Sequence, residues 1–234
     1  MQLIFNRIEQ KYKITKQQYE KMLRLLPDNI KMDNYGMCTI CNIYYDTNEY
    51  EIVKHSIDKP IYKEKIRIRS YGIPKENGLV FVEIKKKYNG IVNKRRIQLP
   101  LEEAYKYVEN KEKPTNNSQT IKEINNFLEK YKINKKTYIA YEREAFFDDN
   151  DSCFRMTIDR NIRSRSYDVK LENGDYGTKL LDQNEYIMEI KENGAIPIWF
   201  VKILSELKIY PISFSKYGEI YKKKFTDNQI KAVS

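Results

Sequence analysis

The sequence predicts an α+β fold built on an antiparallel sheet. Several consecutive segments with strand character are separated only by short turns, such as Glu76-Asn77-Gly78 and Tyr88-Asn89-Gly90. Turns this short join antiparallel neighbours, because a parallel crossover needs a dozen or more residues. Neither an internal repeat nor a linker rich in Pro, Gly and Ser divides the chain, so we expect one domain over residues 1–234.

The strands are predicted by apolar residues that alternate with polar ones between turn residues. In chain order they are Leu3–Lys13, Cys38–Tyr45, Glu64–Tyr71, Leu79–Lys86, Ile91–Leu99, Thr137–Phe147, Cys153–Asp159 and Glu185–Lys191.

Four helices are predicted by apolar residues spaced three or four apart. They are Lys16–Leu26, Leu101–Glu109, Ile121–Tyr131 and Ile198–Leu207. Thr15 is an N-cap candidate for the first, and Pro100 and Pro197 stand where prolines favour a helix start. The polar stretch from Lys111 to Gln119 is expected to be a loop.

The charge balance indicates a polyanionic partner, such as nucleic acid, an anionic membrane surface or a phosphate compound. The 234 residues carry 43 Lys and Arg against 33 Asp and Glu, a formal net charge of +10. The longest apolar run, Ala195–Leu204, contains Pro197 and Lys202 and is too short for a membrane span of about 20 residues. The first residues lack the basic start and long apolar stretch of a signal peptide, so a cytoplasmic location is expected.

Few other chemistries fit this composition. The single histidine, His55, excludes a Ser or Cys triad with a His base, and no Gly-rich phosphate loop is present. Cys38 and Cys41 form a CxxC without a second pair, so two small buried strand residues on opposite faces are the favoured interpretation over a zinc site.

Cations share one face of several predicted strands. In Lys65-Ile66-Arg67-Ile68-Arg69 the isoleucines lie on one face and the cations on the other, because side chains alternate along a strand. The next two strands place Lys85, and then Lys94 and Arg96, on that same face. Like charges on adjacent strands destabilise a sheet, so the pattern favours an anion of several charges among them.

Two arrangements of the sheet account for this pattern. In one, the apolar face packs on helices and the charged face lies in water. In the other, the sheet closes into an antiparallel β-barrel of about eight strands, with helices outside and the cations lining a tunnel. We expect the closed barrel, because a solvated face usually mixes both signs of charge with neutral polar residues.

A minority of carboxylates shares the cationic faces, namely Glu9, Glu83, Asp159 and Glu189. Each of them could simply neutralise a neighbouring base. Alternatively, one or two could hold Mg²⁺ or Mn²⁺, because these ions on phosphate substrates take few protein carboxylates.

Nine segments along nearly the whole chain resemble the VTC domain, the polyphosphate polymerase module of vacuolar transporter chaperone proteins and a member of the triphosphate tunnel metalloenzymes. They are Arg7-Ile8-Glu9-Gln10-Lys11-Tyr12, Asn42-Ile43-Tyr44-Tyr45-Asp46-Thr47, Lys65-Ile66-Arg67-Ile68-Arg69-Ser70-Tyr71-Gly72, Val80-Phe81-Val82-Glu83-Ile84-Lys85, Lys94-Arg95-Arg96, Tyr141-Glu142-Arg143-Glu144-Ala145-Phe146, Phe154-Arg155-Met156-Thr157-Ile158-Asp159, Met188-Glu189-Ile190-Lys191 and Phe214-Ser215-Lys216-Tyr217. Arg7 replaces the first Glu of the E-x-E-x-K motif in the related CYTH proteins, which favours the polymerase branch.

The resemblance implies a set of phosphate-binding residues: Lys11, Arg67, Arg69, Lys85, Lys94, Arg96, Arg143, Arg155 and Lys216. It also implies Glu189 as the ligand of a divalent metal, Mn²⁺ or Mg²⁺, and Glu9 is a second candidate ligand. Glu189, Lys11 and Lys216 are the expected catalytic residues.

The expected function is that of a stand-alone polyphosphate polymerase, which uses the terminal phosphate of ATP. The alternatives are a hydrolase of inorganic or organic triphosphates with the same fold, and a non-catalytic module that binds polyphosphate or nucleic acid. The expected ligands are ATP, inorganic polyphosphate or tripolyphosphate. No stable nucleic-acid complex and no membrane span are expected, and an acceptor or membrane partner is left open.

Overall fold

A computed structural model of the chain describes residues 7–115, 118–150 and 154–233. The strands in this part are β1 (Arg7–Thr15), β2 (Ile30–Met32), β3 (Cys38–Asp46), β4 (Tyr62–Tyr71), β5 (Leu79–Tyr88), β6 (Ile91–Pro100), β7 (Asn134–Asp148), β8 (Arg155–Arg165), β9 (Thr178–Lys179), β10 (Glu185–Asn193) and β11 (Pro211–Ile212). The helices are α1 (Lys16–Leu25), α2 (Glu51–Ile57), α3 (Leu101–Asn110), α4 (Gln119–Lys130), α5 (Ile198–Glu206) and α6 (Lys216–Val233).

The four predicted helices all form, and their ends differ from the prediction by at most two residues. Thr15 caps α1 as expected: its hydroxyl accepts the backbone N–H of Gln18, whose side chain accepts the backbone N–H of Thr15. Helices α2 and α6 were not predicted, and neither were the short strands β2, β9 and β11. Parts of two predicted strands, residues 3–6 and Cys153, lie outside the described residues.

The described residues group into two compact units, and β7 and β8 each contribute to both. The first unit draws its described residues from Met1–Cys38, Tyr141–Ile162 and Leu181–Phe214. The second draws them from Thr39–Ala140, Arg163–Leu180 and Ser215–Ser234.

In the first unit the strand order is β11-β1-β10-β8-β7, and β2 pairs with β7. One face of β1, β8 and β10 is apolar and packs with α1 and α5. Its buried residues include Tyr12, Ile14, Met156, Ile158, Met188, Ile190, Tyr19, Met22, Phe200 and Ile203. The register pairs Lys11 with Glu189, and Glu189 with Thr157, on the opposite face.

In the second unit the strand order is β7-β3-β4-β5-β6, and β9 pairs with β8. The apolar face of β4 and β5 packs against α3 and α4. Its core includes Ile66, Ile68, Val80, Val82, Ile84, Ala104, Tyr107, Ile124 and Phe127. The isoleucines and the cations of β4 therefore lie on opposite faces, which confirms the predicted alternation.

The predicted closed barrel of about eight strands is not confirmed. The described residues form eleven strands, and their sheet is not closed: its strand order ends at β11 and β6. Alternation assigns each side chain to a face, but closure also needs a matching tilt and stagger of all strands, which alternation does not encode. Strand β11 at one end of this order has only two residues, so it could form few backbone hydrogen bonds with a further strand.

Two other expectations can be compared with the structure. Cys41 is fully buried in the core of the second unit, as predicted, whereas Cys38 at the start of β3 is only partly buried. No helix among the described residues is long and apolar enough to cross a membrane.

Candidate functional site

One buried carboxylate gathers four cations on the polar side of β4, β5 and β6, here called the cationic face. Glu83 is 2% exposed, and its Oε2 lies 2.6 Å from Nη2 of Arg67 and 3.7 Å from Nε of Arg69. Its Oε1 lies 3.0 Å from Nζ of Lys94 and 3.9 Å from Nη1 of Arg96. The cross-strand register explains this convergence. Glu83 lies on the central strand β5, directly opposite Arg67 on β4 and directly opposite Arg96 on β6.

The charges on this face shift the pKa of their neighbours. Burial alone would raise the pKa of Glu83, but Arg67, Arg69 and Lys94 hold it well below its usual range. Burial lowers the pKa of Lys94 to about 8, and the repulsion of Arg67 and Arg69 adds to this effect while Glu83 opposes it. The face therefore carries one firmly ionised acid among cations that repel each other.

Strand β3 supports the two arginines from the neighbouring position in the sheet. Asn42 accepts the Nε–H of Arg69 at 2.9 Å and donates from its own amide to the carbonyl of Ile139 at 3.1 Å. The hydroxyl oxygen of Tyr44 accepts a hydrogen bond from Nη1 of Arg67 at 2.7 Å. Both guanidinium groups are thus oriented by buried side chains, which reduces the conformational entropy that they lose when they bind an anion.

The pKa of Tyr44 reflects the positive potential of the cationic face. Burial would raise its pKa, but Arg67, Lys65 and Arg69 outweigh that effect and lower the pKa to about 7. Because neighbouring cations favour the phenolate of Tyr44 in spite of its burial, the lowered pKa indicates a site that attracts negative charge.

Tyr217 of α6 packs behind Tyr44. The two rings are stacked with their centroids 5.0 Å apart, and the Tyr217 hydroxyl donates to Oδ2 of Asp46 at 3.0 Å. The same Asp46 carboxylate accepts the backbone N–H groups of Ile52 and Val53 and so fixes the start of α2. Lys216, the residue before Tyr217, is the first residue of α6.

In the first unit a second charged cluster surrounds Glu189. Its Oε1 lies 2.9 Å from Nζ of Lys191, and its Oε2 lies 3.9 Å from Nζ of Lys11. Lys11 also donates to the carbonyl of Phe214 at 2.8 Å. Burial opposes ionisation, but the charges of Lys191, Lys11 and Arg143 hold the pKa of Glu189 well below its usual range. Glu189 is therefore an ionised acid at neutral pH.

Arg143 is held in a bidentate contact by Asp159. Its Nε and Nη2 donate to the two oxygens of Asp159 at 2.6 and 2.8 Å, and Asp159 is fully buried. Burial would lower the pKa of Arg143, but Asp159 raises it well above its usual value. A phosphate at Arg143 would have to share the guanidinium with Asp159. Arg155 lies exposed at the start of β8.

A family model described as the VTC domain matches residues 6–225. The chain belongs to the VTC domain family. No curated protein matches the sequence significantly.

Among the solved structures that share the fold of this VTC domain are two candidate cyclases. A candidate adenylate cyclase from Bacillus halodurans is 14% identical over 90% of this chain and 95% of its own, with a TM-score of 0.56. A candidate adenylyl cyclase from Hippeastrum, described as having a dominant triphosphatase activity, is 13% identical over 93% of this chain and 96% of its own, with a TM-score of 0.50. At these identities the likeness concerns the fold alone.

The structure brings many of the predicted residues of the VTC domain into two groups. Arg67, Arg69, Lys94 and Arg96 surround Glu83 in the second unit, and Lys85 lies between Lys65 and Lys94 in the register. Lys11 and Arg143 act on Glu189 in the first unit, and Glu9 lies on the same face of β1 as Lys11.

Four supporting residues were not predicted from the sequence: Asn42, Tyr44, Asp46 and Tyr217. A signal for three of them was present: Asn42, Tyr44 and Asp46 alternate along β3 and therefore share one face. Polar residues that alternate within a strand buried on both faces need partners inside the protein. The contribution of Tyr217 depends on the packing of α6 and leaves no such signal.

The donor set fits a divalent ion that arrives with phosphate. The described residues contain no group of three or more His, Cys, Asp or Glu that could hold a metal by itself. Glu189 is ionised, lies among cations, and offers one carboxylate. A Mg²⁺ or Mn²⁺ ion commonly takes one or two protein carboxylates and completes its shell with water and phosphate oxygens. Glu189 would hold that ion, with Glu9 as a second ligand.

Proposed function

We propose that this VTC domain catalyses metal-dependent phosphoryl transfer, as a polyphosphate polymerase that takes the terminal phosphate of ATP. The observation that carries the proposal is the convergence of four cations on the single carboxylate of Glu83. An arrangement with this excess of positive charge is stabilised by an anion of several charges, and a triphosphate supplies one.

The proposed roles follow the two groups of residues. In the second unit Arg67, Arg69, Lys85, Lys94 and Arg96 bind phosphate oxygens, and Lys216 assists them. In the first unit Lys11, Arg143 and Arg155 bind phosphate, and Glu189, with Glu9, holds the divalent ion. When bound, that ion would neutralise charge on the phosphate oxygens and polarise the phosphorus under attack.

This chain's residues contribute by binding and positioning rather than by forming a covalent intermediate. The transition state of phosphoryl transfer spreads negative charge over the equatorial oxygens, and fixed cations stabilise that charge. Arg67 and Arg69 are fixed in this way by Tyr44 and Asn42. The acceptor then decides the product, because a terminal phosphate gives chain growth and water gives hydrolysis.

Triphosphate hydrolysis is the second candidate function. The relative from Hippeastrum, whose fold is similar, is described by a dominant triphosphatase activity. The cationic face serves either reaction equally, since both pass through the same kind of transition state.

The polymerase proposal is tested by incubating the full chain with ATP and Mn²⁺ and observing the products by phosphorus NMR. Signals of internal chain phosphates are expected, in parallel with the formation of ADP. Release of orthophosphate without chain growth would overturn the polymerase proposal in favour of the hydrolase. Absence of any turnover, together with retained tripolyphosphate binding, would favour the non-catalytic binding module.

Two variants test the proposed roles. Arg67→Ala is expected to weaken tripolyphosphate binding about tenfold, because one charge-assisted contact is lost. Glu189→Gln is expected to abolish turnover while most of the binding is retained. The matched control for Arg67→Ala is Arg95→Ala, because Arg95 pairs with Glu123 and not with Glu83. The matched control for Glu189→Gln is Glu185→Gln, because Glu185, at the start of β10, pairs with Lys13. Equal effects of the control and test variants would contradict the assignments.

A further inference from the structure

Two aromatic rings lie at one end of the cationic face. Tyr71 is the last residue of β4, and its ring meets that of Phe81 on β5 nearly at a right angle, with the centroids 5.8 Å apart. The guanidinium of Arg96 lies over the Phe81 ring at 4.3 Å, and its Nη1 donates to the Tyr71 hydroxyl at 3.3 Å. Neighbouring strands thus build one cluster from two rings and one guanidinium.

This cluster is open to solvent although it adjoins buried charges. Tyr71 is 55% exposed and the side chain of Arg96 is 46% exposed, whereas Arg69, the preceding residue on the same face of β4, is 5% exposed. Single exposed aromatic residues are common on protein surfaces and do not by themselves indicate a binding site. A pair of perpendicular rings beside an arginine leaves the outer face of Tyr71 available for a third planar group.

The spacing along β4 orders the cluster and the phosphate-binding residues. Positions on one face of a strand are about 7 Å apart, so Tyr71, Arg69 and Arg67 occupy three successive steps. The register places Phe81 opposite Arg69 and Glu83 opposite Arg67. A ligand with a flat ring system at one end and several negative charges at the other would meet aromatic and cationic groups in that order.

The end of β4 is held in place by its backbone. The N–H of Gly72 donates to the carbonyl of Thr39 at 2.7 Å, and the Ser70 hydroxyl donates to the carbonyl of Gly72 at 2.8 Å. Gly72 has a φ of +75°, a conformation that favours glycine. Tyr71 is therefore fixed between two anchored neighbours, so stacking on its ring costs less conformational entropy than it would on a mobile loop.

We propose that Tyr71 and Phe81, with Arg96, form a stacking platform for the base of a nucleoside triphosphate whose phosphates occupy the cationic face. This inference deepens the proposed function and rests on it for the placement of the phosphates. Because stacking uses the face of the base rather than its hydrogen-bonding edge, the platform accepts adenine and guanine alike.

The test is calorimetric binding of three probes, ATP, GTP and tripolyphosphate, to the full chain and to variants, without turnover. Tyr71→Ala is expected to lower the affinities for ATP and GTP about tenfold and to leave that for tripolyphosphate within twofold. Tyr71→Phe should keep the affinity for both nucleotides, since the ring is retained. Tyr88→Ala removes a similarly exposed tyrosine at the other end of β5 and serves as the matched control.

The outcomes separate this inference from the proposed function. Equal losses for nucleotides and tripolyphosphate in Tyr71→Ala, or no loss, would overturn the platform while the cationic face stands. A selective loss of nucleotide affinity in a chain that shows no turnover would support the platform and contradict the enzyme. Tighter binding of a short single-stranded RNA without a 5′-phosphate than of ATP, with the same dependence on Tyr71, would assign the rings to nucleic acid and overturn the inference.

Discussion

The two charged faces of this VTC domain arise from the same strand alternation, yet they balance their charges differently. In the first unit Arg143 makes a bidentate contact with Asp159, and Glu189 contacts Lys191 and Lys11. In the second unit four cations share Glu83. A nearly balanced cluster orients its members, whereas a cluster with surplus cations attracts an anion. On the proposed function, we therefore expect most of the phosphate affinity to lie in the second unit.

The largest effect that would test this comparison is expected when the shared carboxylate of Glu83 is removed. Glu83→Gln leaves four neighbouring cations without their buried counter-charge, so we expect the free energy of unfolding to fall by about 3–5 kcal/mol. Urea denaturation measures this change. Tripolyphosphate should restore part of the lost stability, because it supplies the missing negative charge and binds only the folded state.

Glu123→Gln is the matched control for this variant. Glu123 pairs with Lys86 and Arg95, whose side chains are partly exposed, so a change of at most about 1 kcal/mol is expected. If Glu83→Gln were as stable as this control, the cations of the second unit would not depend on Glu83, and the contrast between the two faces would be wrong.

An intermediate effect is expected from removing one ammonium on each face. Lys94→Met should lower the affinity for tripolyphosphate about tenfold, since a surplus cation of the cationic face is lost. Lys191→Met should change this affinity less, because Lys191 contacts Glu189 at 2.9 Å and mainly balances its charge. Isothermal titration calorimetry compares the two variants directly. A larger loss in Lys191→Met would reverse the assignment of phosphate affinity between the units.

The smallest expected effect is spectroscopic and concerns Tyr44. Ultraviolet absorbance should detect a phenolate that forms at a pH of about 7 and is absent from Tyr44→Phe. The ordinary pKa of a tyrosine is 10.0. Between pH 7 and pH 10 the Tyr44 hydroxyl is therefore protonated in the unfolded chain and ionised in the folded chain, so folding stability rises with pH over this range. This contribution disappears as the pH falls through about 7.

Bound tripolyphosphate should raise the pKa of Tyr44, because its negative charge opposes the phenolate beside Arg67. A titration of Tyr44 that does not respond to tripolyphosphate would place the anion away from Arg67. A titration near the ordinary value of tyrosine would show that the cationic face lacks the positive potential described here.

Residue patterns were sufficient to predict the regular elements that bury one face. The four predicted helices carry a clear apolar stripe and a proline or a hydroxyl at their start. Helix α2 lacks these signals, because the carboxylate that fixes its first turn belongs to Asp46 at the end of β3. Strands of two residues, such as β9 and β11, are too short to show any period.

The charged face was predictable from β4, β5 and β6, but its internal pairing was not. Alternation places Arg67, Glu83 and Arg96 on one side, as found. The bidentate contact of Arg143 with Asp159 depends on which strands become neighbours and in which register, and a single sequence does not contain this information. The unconfirmed barrel closure has the same origin, since it is a property of all strands together.

The contact of Tyr217 with Asp46 and Tyr44 has a practical consequence for anyone who shortens this protein. A version that ends before α6 would leave Asp46 without the Tyr217 hydroxyl and Tyr44 without its stacked ring. Arg67 would then lose the support behind its hydrogen-bond acceptor. Weak polyphosphate binding by such a truncated protein would be an artefact of trimming and would say nothing about the natural ligand.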